Sequence, residues 1–359
     1  MVGPVNTPRT LASLAAELGV SRTTVSNAYN RPDQLSESLR ARILAAAERA
    51  GYPGPDPTAR SLRTRHAGAL GVLLTEDLTY AFEDQASLEF MSGVSVACSG
   101  RDTSMLLVPA GAETQGDGRA AALVNQAAVD GFIVYSVAAD DPFLAAVRGR
   151  GVPTVVCDQP ADGHDLTFVG IDDREAVRPA VRALVDAGHR RVGVLCIRLA
   201  REPNNGPVGP ERLAAAQMHV QRSRVEGALA ELAAAGVVGV PVVERHINTP
   251  ETARDAAREL LDAHPDLTAV VCTTDSMALG VLDVAGERGL DVPGDLSVTG
   301  FDGIPRAVSR GVTTVVQPSR EKGLASGRAL FALLDGEEPP RRRLLGTRFR
   351  PGRTVAPPR

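Results

Sequence analysis

The 359-residue chain is longer than one ordinary domain, and its 43% hydrophobic and 23% charged residues are typical of a folded globular protein. No stretch approaches the ~18 uncharged apolar residues of a membrane-spanning helix, and the opening MVGPVNTPRT lacks the apolar run of an export signal. We therefore expect a cytoplasmic protein of two or three domains that makes no contact with a membrane.

The net charge of −4 conceals an asymmetry along the chain. Residues 1–66 contain nine arginines and five acidic residues, a net charge of +4, which leaves −8 on the remainder. A polyanion would be attracted to the first part and repelled by the second, so only the N-terminal part is expected to meet a nucleic acid.

Three short helices are predicted in the N-terminal part. Thr10, Ser21 and Ser36 can cap their N-termini, and Gly19 supplies a left-handed turn between the first two. The prolines of GYPGPDP (51–57) cannot continue a helix, and they indicate a stiff linker. The first domain boundary is expected there.

The second of these helices has two distinct faces. Val25, Ala28 and Tyr29 lie at i, i+3 and i+4, and are expected to pack on the first helix. The outward positions contain no acidic residue; they are Arg22, Thr23, Ser26, Asn27 and Asn30. Such a face suits the phosphate-lined groove of DNA, with Arg22, Thr23 and Asn27 towards base edges and Ser26 and Asn30 towards phosphates. A helix-turn-helix is favoured over a plain helical hairpin, because the net positive charge of residues 1–66 and the linker that follows the helices both fit DNA binding.

From residue 69 onward, apolar runs alternate with helix-period segments. The runs are ALGVLL, SMLLVP, FIVYS and PTVVC in one set, and RVGVLC, GVPVVE and TAVVCTT in a second, with LSVTGFD and GVTTVVQP as late returns. Continuous apolar strands between helices predict two parallel, doubly wound α/β sheets, and hence two lobes with a ligand pocket between them. The segment 198–217, rich in Pro, Gly and Asn, is expected to be an exposed loop near that cleft.

Many ordered blocks of the chain resemble the lactose-repressor (LacI/GalR) family of bacterial transcription regulators. They include TLASLAAELGVSRTTVSNAYN, SESLRARILAAAERAGY, ARSL, VDGFIVYS, LVDAGHRRVGVL, SRVEGAL, TDSMALGVL and VPGDLSVTGFD. The resemblance implies an all-α helix-turn-helix head and a two-lobed body like that of periplasmic binding proteins. The expected bounds are 1–54 for the head, 55–67 for a linker and hinge helix, and 68–359 for the body, with a first lobe of about 68–165 and 298–317 and a second of about 166–297 and 318–359.

The resemblance also implies a homodimer whose recognition helices enter successive major grooves of a near-palindromic DNA operator. In this family a short segment after the linker folds only on DNA, where a leucine opens the central minor-groove step. Leu62 matches that leucine, Ala59 lies at the close helix contact, and Arg60 can neutralise a phosphate. The alternative for Leu62 is a linker leucine that packs on the body.

Three acidic residues follow predicted strands and are expected to open on the cleft. Asp158 follows TVVC, Asp275 follows VVCTT and Asp302 follows SVTGF. A carboxylate accepts hydrogen bonds from adjacent hydroxyls, which is what a sugar or a ribose offers. Asp275 could equally cap the helix that follows it.

The resemblance assigns further effector-binding positions. Asp158 and Asp302 match effector contacts, Arg224 matches an arginine that reaches the ligand from the second lobe, and Phe82 matches an aromatic residue at the mouth of the first. Asn248 stands where ring-stacking members carry an aromatic residue, so a sugar or sugar derivative is favoured. A nucleoside or purine remains the alternative effector.

Two other classes of protein fit less well. Asp158 and Asp302 could form a glycosidase pair, but no HExxH, GxxxxGK[ST] or nucleophile motif accompanies them, and no catalytic residue, metal or cofactor is expected. A sugar-binding protein would need an export signal and no DNA-binding head. The sequence therefore predicts a ligand-responsive transcription regulator, which in this family is most often a repressor.

Overall fold

The protein, represented by a computed structural model, is described over residues 10–52, 54, 66–74, 78–110 and 117–359. Its contacts divide the chain into two units, residues 1–67 and residues 68–359. Within the described part, no helix is long and apolar enough to cross a bilayer.

The first unit contains a bundle of short helices. These are α1 (Leu11–Leu18), α2 (Arg22–Asn30), a 3-10 turn (Pro32–Gln34) and α3 (Glu37–Arg49). The hydroxyls of Thr10, Ser21 and Ser36 accept hydrogen bonds from backbone N–H groups in the first turns of α1, α2 and α3. Gly19 ends α1 at φ +66°, a left-handed conformation that favours glycine. The predicted caps and turn are therefore confirmed.

A small apolar core holds these helices together. Leu14, Val25, Ala28 and Ile43 are fully buried at the point where the three helices meet. Because Val25 and Ala28 lie on one face of α2, the opposite face is turned away from the core. This is the helix-turn-helix arrangement that the spacing predicts.

The second unit is an α/β structure of alternating strands and helices. Its helices are α4 (Leu78–Glu83), α5 (Gln85–Cys98), α6 (Asp117–Gln126), α7 (Pro142–Arg150), α8 (Asp173–Asp186), α9 (Pro210–Ala214), α10 (His219–Ala234), α11 (Pro250–Ala263), α12 (Asp275–Glu287), α13 (Pro305–Ser309) and α14 (Ser319–Leu334). Its strands are β1 (Ala69–Leu74), β2 (Ser104–Pro109), β3 (Gly131–Tyr135), β4 (Thr154–Cys157), β5 (Thr167–Gly170), β6 (Val192–Ile197), β7 (Gly206–Pro207), β8 (Val242–Arg245), β9 (Ala269–Cys272), β10 (Ser297–Asp302), β11 (Thr313–Val316), β12 (Arg342–Leu344) and β13 (Arg348–Arg350).

The strands form two sheets, one in each lobe. The first sheet has the order β12-β5-β4-β3-β1-β2 and is parallel throughout. The second has the order β13-β11-β10-β9-β6-β8-β7, with antiparallel pairing only at its edge strands β13 and β7. Apolar clusters cover both faces of each sheet, as expected for parallel strands buried between helices. The predicted fold class is confirmed.

The predicted division of the C-terminal third between the lobes is wrong. Strands β10 and β11, placed in the first lobe from the sequence, pair with β9 and each other in the second sheet. Helix α14, placed in the second lobe, packs its Leu330 and Phe331 into the core of the first. The chain crosses between the lobes at 171–172, 317–318 and 345–347. Chain order alone does not reveal which sheet a strand joins, because parallel pairing is decided by distant partners.

The close approach of α14 to α5 depends on small residues. A Cβ built on Gly93 of α5 would lie 2.0 Å from the backbone oxygen of Arg320 in α14. Another on Gly323 of α14 would lie 2.0 Å from the backbone oxygen of Phe90. Any larger residue at either position would push the two helices apart, so both glycines fix the position of α14 in the first lobe.

The 198–217 segment is ordered structure and not merely an exposed loop. It contains β7 and α9, and Leu199 within it is fully buried in the core of the second lobe. The segment therefore belongs to the second lobe and continues directly into α10.

Candidate functional site

The outward face of α2 presents the side chains predicted to read DNA. Arg22 and Thr23 are exposed in its first turn, and Ser26 and Asn27 are half-buried further along. Asn27 Nδ2 donates a hydrogen bond to Gln34 Oε1 at 3.1 Å, which orients its side chain. The side chain of Asn30, and all of Ala59, Arg60 and Leu62, lie outside the described residues.

A cleft cavity of about 80 Å³ lies between the lobes, at the carboxyl ends of the strands. Its lining includes four of the predicted effector residues: Asp158, Arg224, Asn248 and Asp302. Phe82 and Asp275 do not line it. Tyr80, Arg198, Gln221 and Gln317 do, although none of them was singled out from the sequence.

In the wall formed by the first lobe, a carboxylate is paired with an ammonium. Asp158 ends β4 at φ +69°, and its Oδ2 accepts a 2.6 Å hydrogen bond from Lys322 Nζ on α14. Lys322 is 1% exposed and also donates to Gln317 Oε1 at 2.7 Å. Burial lowers the pKa of Lys322, but the charge and hydrogen bond of Asp158, together with Cys157 and Asp173, more than offset this, so that the pKa lies above its ordinary value. The ammonium therefore stays charged.

In the wall formed by the second lobe, one guanidinium serves two carboxylates. Arg224 of α10 donates from Nε to Asp173 Oδ1 at 2.8 Å and from Nη1 to Asp302 Oδ1 at 3.3 Å. Its Nη1 also donates to the carbonyl of Thr273 at 2.9 Å, and the group lies 3.8 Å from the Phe301 ring centroid. These contacts hold Arg224 in one orientation beside the cavity.

Asp302 is the group in this wall whose protonation is most perturbed. Burial, reinforced by the charge of Asp275, raises the pKa of Asp302 to about 8, while Arg224 opposes the shift. Gln317 Nε2 donates to Asp302 Oδ1 at 2.6 Å. Because Gln317 also accepts from Lys322, a continuous hydrogen-bonded chain joins the two walls through the 317–318 crossover.

Asp275 supports the loop that follows Asp302. It is fully buried; its Oδ1 accepts from Thr314 Oγ1 at 2.6 Å, and its Oδ2 accepts from the backbone N–H groups of Gly303 and Ile304 at 2.7 and 2.8 Å. Thr274, not Asp275, caps α12 with its side chain. Both sequence interpretations of Asp275, as cap and as ligand contact, are therefore replaced by a structural role. A buried carboxylate needs several donors, and this loop supplies them.

The aromatic residue at the cleft is Tyr80 and not Phe82. Phe82 is 54% exposed on α4, whereas Tyr80 lines the cavity. Residues two apart on a helix point to nearly opposite sides, so only one of the two can face inward. Asn248 Nδ2 of the second lobe donates to Tyr80 Oη at 3.3 Å, which links the lobes at this point.

Sequence reasoning missed Gln317, which lines the cavity, and Lys322, which is bonded to both Asp158 and Gln317. A signal was available for Lys322, since it is the only lysine in a chain with 39 basic residues. No comparable signal marked Gln317.

Comparison with known proteins agrees with this architecture. The periplasmic binding protein-like domain family matches residues 181–355. The HTH-type transcriptional regulator IpsA of Corynebacterium glutamicum is 53% identical, covering 97% of this chain and 98% of that protein. A solved LacI-family regulator from the same species has a TM-score of 0.77 at 49% identity, covering 96% and 98%. The complex of the regulator CelR with cellobiose has a TM-score of 0.70 at 27% identity, covering 96% and 99%.

The helix-turn-helix head and the two-lobed body together define a DNA-binding transcription regulator rather than an enzyme. The chain belongs to the lactose-repressor (LacI/GalR) family, whose members combine operator binding with a small-molecule effector site.

Proposed function

We propose that this regulator is a cytoplasmic repressor that binds a near-palindromic operator as a homodimer. Its effector is a sugar or sugar derivative held between the lobes. The effector alters the closure of the lobes, which changes how the two hinge segments of the dimer, including Ala59, Arg60 and Leu62, engage the DNA. A coupling of about 1–3 kcal/mol between the two sites is enough to switch operator occupancy.

Unsatisfied acceptors in the cleft carry the effector assignment. Asp158 Oδ1, Gln221 Oε1 and Asn248 Oδ1 are buried and have no hydrogen-bond partner within the described part of the chain. All three residues line the cavity. A buried acceptor without a donor is costly, so their grouping favours a ligand with several O–H donors. A sugar offers such donors on adjacent carbons, and the CelR structure contains cellobiose.

The size of the cavity supports a role for lobe movement. Its volume of about 80 Å³ is smaller than the engineered cavity of about 150 Å³ that holds a benzene ring. A sugar ring therefore enters only if the lobes move apart. Ligand binding and lobe closure are then coupled, as the proposed mechanism requires.

The effector assignment is tested by ligand-induced thermal shifts with a panel of monosaccharides, disaccharides, polyols and nucleosides. We expect a shift with a member of the hydroxyl-rich set. Asp302→Ala should abolish it and leave the operator affinity of the ligand-free protein unchanged, whereas Asp266→Ala, an exposed aspartate, should change neither. A shift confined to nucleosides would replace the sugar by the alternative effector, to which the ring of Tyr80 offers a stacking surface.

The DNA assignment is tested separately with an operator duplex. Arg22→Ala should cost about 1–3 kcal/mol of specific binding and relax the sequence preference, and Leu62→Ala should weaken binding to the intact operator. Arg42→Ala, at an exposed position of α3, is the control. Unchanged affinity and salt dependence in both Arg22→Ala and Leu62→Ala would contradict the assignment of these residues.

A further inference from the structure

The 198–217 segment, whose role the sequence did not explain, reaches from the second lobe to the first. Gln217 Nε2 donates to Asp140 Oδ2 at 2.9 Å, and Arg201 Nη1 donates to the carbonyl of Asp140 at 3.3 Å. The backbone N–H of Ala139 also donates to the carbonyl of Gln217 at 3.4 Å. Both ends of the segment are therefore bonded to one loop of the first lobe, between β3 and α7.

A buried carboxylate holds this segment on the second lobe. Glu244 of β8 is fully buried and accepts from the backbone N–H of Leu199 at 2.7 Å, from Asn204 Nδ2 at 2.9 Å and from Arg212 Nη2 at 2.9 Å. These donors come from the beginning, middle and end of the segment. A movement of the segment away from β8 would leave Glu244 buried and short of donors, so the segment moves with the second lobe.

A second contact between the lobes lies directly beside the contact of the 198–217 segment with the β3–α7 loop. Gln159 of the first lobe is fully buried, and its Oε1 accepts from the backbone N–H of Val220, in the first turn of α10, at 2.8 Å. Helix α10 has no side-chain cap from its own N-cap residue, Met218. The first lobe thus supplies the cap for the helix that carries Arg224, and Gln159 is itself oriented by its 3.2 Å hydrogen bond to the carbonyl of Ser136.

The lobes also face each other at a wider gap. Beside the Asn248–Tyr80 hydrogen bond lies a cavity of about 670 Å³, lined by Glu83 of the first lobe and Glu251 of the second. Hydrogen bonds therefore hold the lobes closely together along 139–140, 159 and 217–220. The contact beside the 670 Å³ cavity is looser. An opening motion would widen this gap while the closely held side acts as the pivot.

We propose that the 198–217 segment and Gln159 form an interlobe latch. The latch positions α10, and with it Arg224, against the first lobe, and it sets how far the cleft stands open before a ligand arrives. Its bearing on effector affinity rests on the proposed function, but its effect on lobe position does not.

The test measures interlobe distance in the ligand-free, full-length protein. Spin labels are attached to cysteines introduced as Glu83→Cys and Glu251→Cys, with Cys98→Ser to remove the half-buried native thiol. Pulsed electron paramagnetic resonance then gives the distance distribution. In this background Asp140→Ala, and separately Gln217→Ala, should shift the distribution to longer distances and increase the open population severalfold. Asp140→Asn, which keeps an acceptor for Gln217 Nε2, should restore most of the parent distribution.

Asp335→Ala is a matched control, because Asp335 pairs with Arg101 at 2.9 Å within the first lobe and its side chain is 47% exposed, close to the 49% of Asp140. It should leave the distribution unchanged. Distributions for Asp140→Ala and Gln217→Ala that coincide with the parent would overturn the latch. Since neither ligand nor DNA is present, a wrong effector or operator assignment would not produce that result.

Discussion

The two walls of the cleft neutralise their carboxylates in different ways. In the first lobe Asp158 pairs with Lys322, an ammonium that bonds no other carboxylate among the described residues. In the second lobe Arg224 is divided between Asp173 and Asp302. The Asp158–Lys322 pair thus has one cation for one carboxylate, whereas Arg224 is shared between two buried carboxylates.

The difference suggests that the two walls have different roles in ligand binding. Asp158 is buried and held by a 2.6 Å hydrogen bond from Lys322, so the first wall offers an acceptor in a fixed position. The second wall contains Asp302, whose pKa is raised, so the charge of Asp302 depends on its surroundings, including any ligand that donates hydrogen bonds to it. The second wall is therefore the one expected to respond.

The largest effect on stability should follow from removing Lys322, the cation that pairs with Asp158. Lys322→Met leaves the Asp158 carboxylate buried without a partner, which should lower the free energy of unfolding by about 3–5 kcal/mol. Urea denaturation measures this, and Arg320→Met, an exposed position on the same helix, is the control. The double variant Lys322→Met, Asp158→Asn should recover most of the loss. No recovery would mean that Lys322 stabilises the protein in some way other than through Asp158.

A smaller effect should appear in the pH dependence of stability. Because the pKa of Asp302 is raised from 3.8 to about 8 in the folded protein, its contribution is fully present below about pH 4 and is lost as the pH rises through about 8. Asp302→Asn lacks this contribution. The difference in unfolding free energy between wild type and variant should therefore fall across that window, by up to a few kcal/mol. Parallel profiles would show that Asp302 ionises normally, while Asp266→Asn should be parallel in any case.

The smallest effect concerns the support beneath the responsive wall. Thr314→Val removes a donor to the buried Asp275, and should cost about 1.5–3 kcal/mol, the range for hydrogen bonds to charged groups. Thr299 on the neighbouring strand β10 is also fully buried, but its hydroxyl has no partner among the residues described. Thr299→Val should therefore be neutral or slightly stabilising. Equal costs for both valines would argue against a specific bond to Asp275.

The sequence predicted those parts of the fold that depend on local pattern. The runs ALGVLL and FIVYS coincide with β1 and β3, because a strand buried on both faces must be apolar throughout. Strands β12 and β13 were not predicted. They lie at sheet edges and are rich in arginine, so no apolar run marks them.

From the residue pattern alone, the candidate site was predictable only where it lies at strand ends, and the resemblance to the family added Arg224 and Asn248. Asp158 and Asp302 follow apolar runs, and parallel strands bring such positions to the same edge of a sheet. Gln317 reaches the cleft through the 317–318 crossover, and Lys322 reaches Asp158 through the packing of α14 on the first lobe. That placement depends on long-range pairing, the same property that made the predicted lobe bounds wrong.

The burial of Lys322 gives this protein an unusual chemical property. It carries the only side-chain amine of the chain, and that amine is buried and hydrogen-bonded to Asp158 and Gln317, which line the cleft. Acylating reagents that modify many surface lysines in an ordinary protein would find here one lysine, which is 1% exposed and bonded to a carboxylate. Acylation of Lys322 therefore requires its hydrogen bond to Asp158 to break and the ammonium to lose its proton, so the rate of acylation, read by mass spectrometry, should report how often this pair opens.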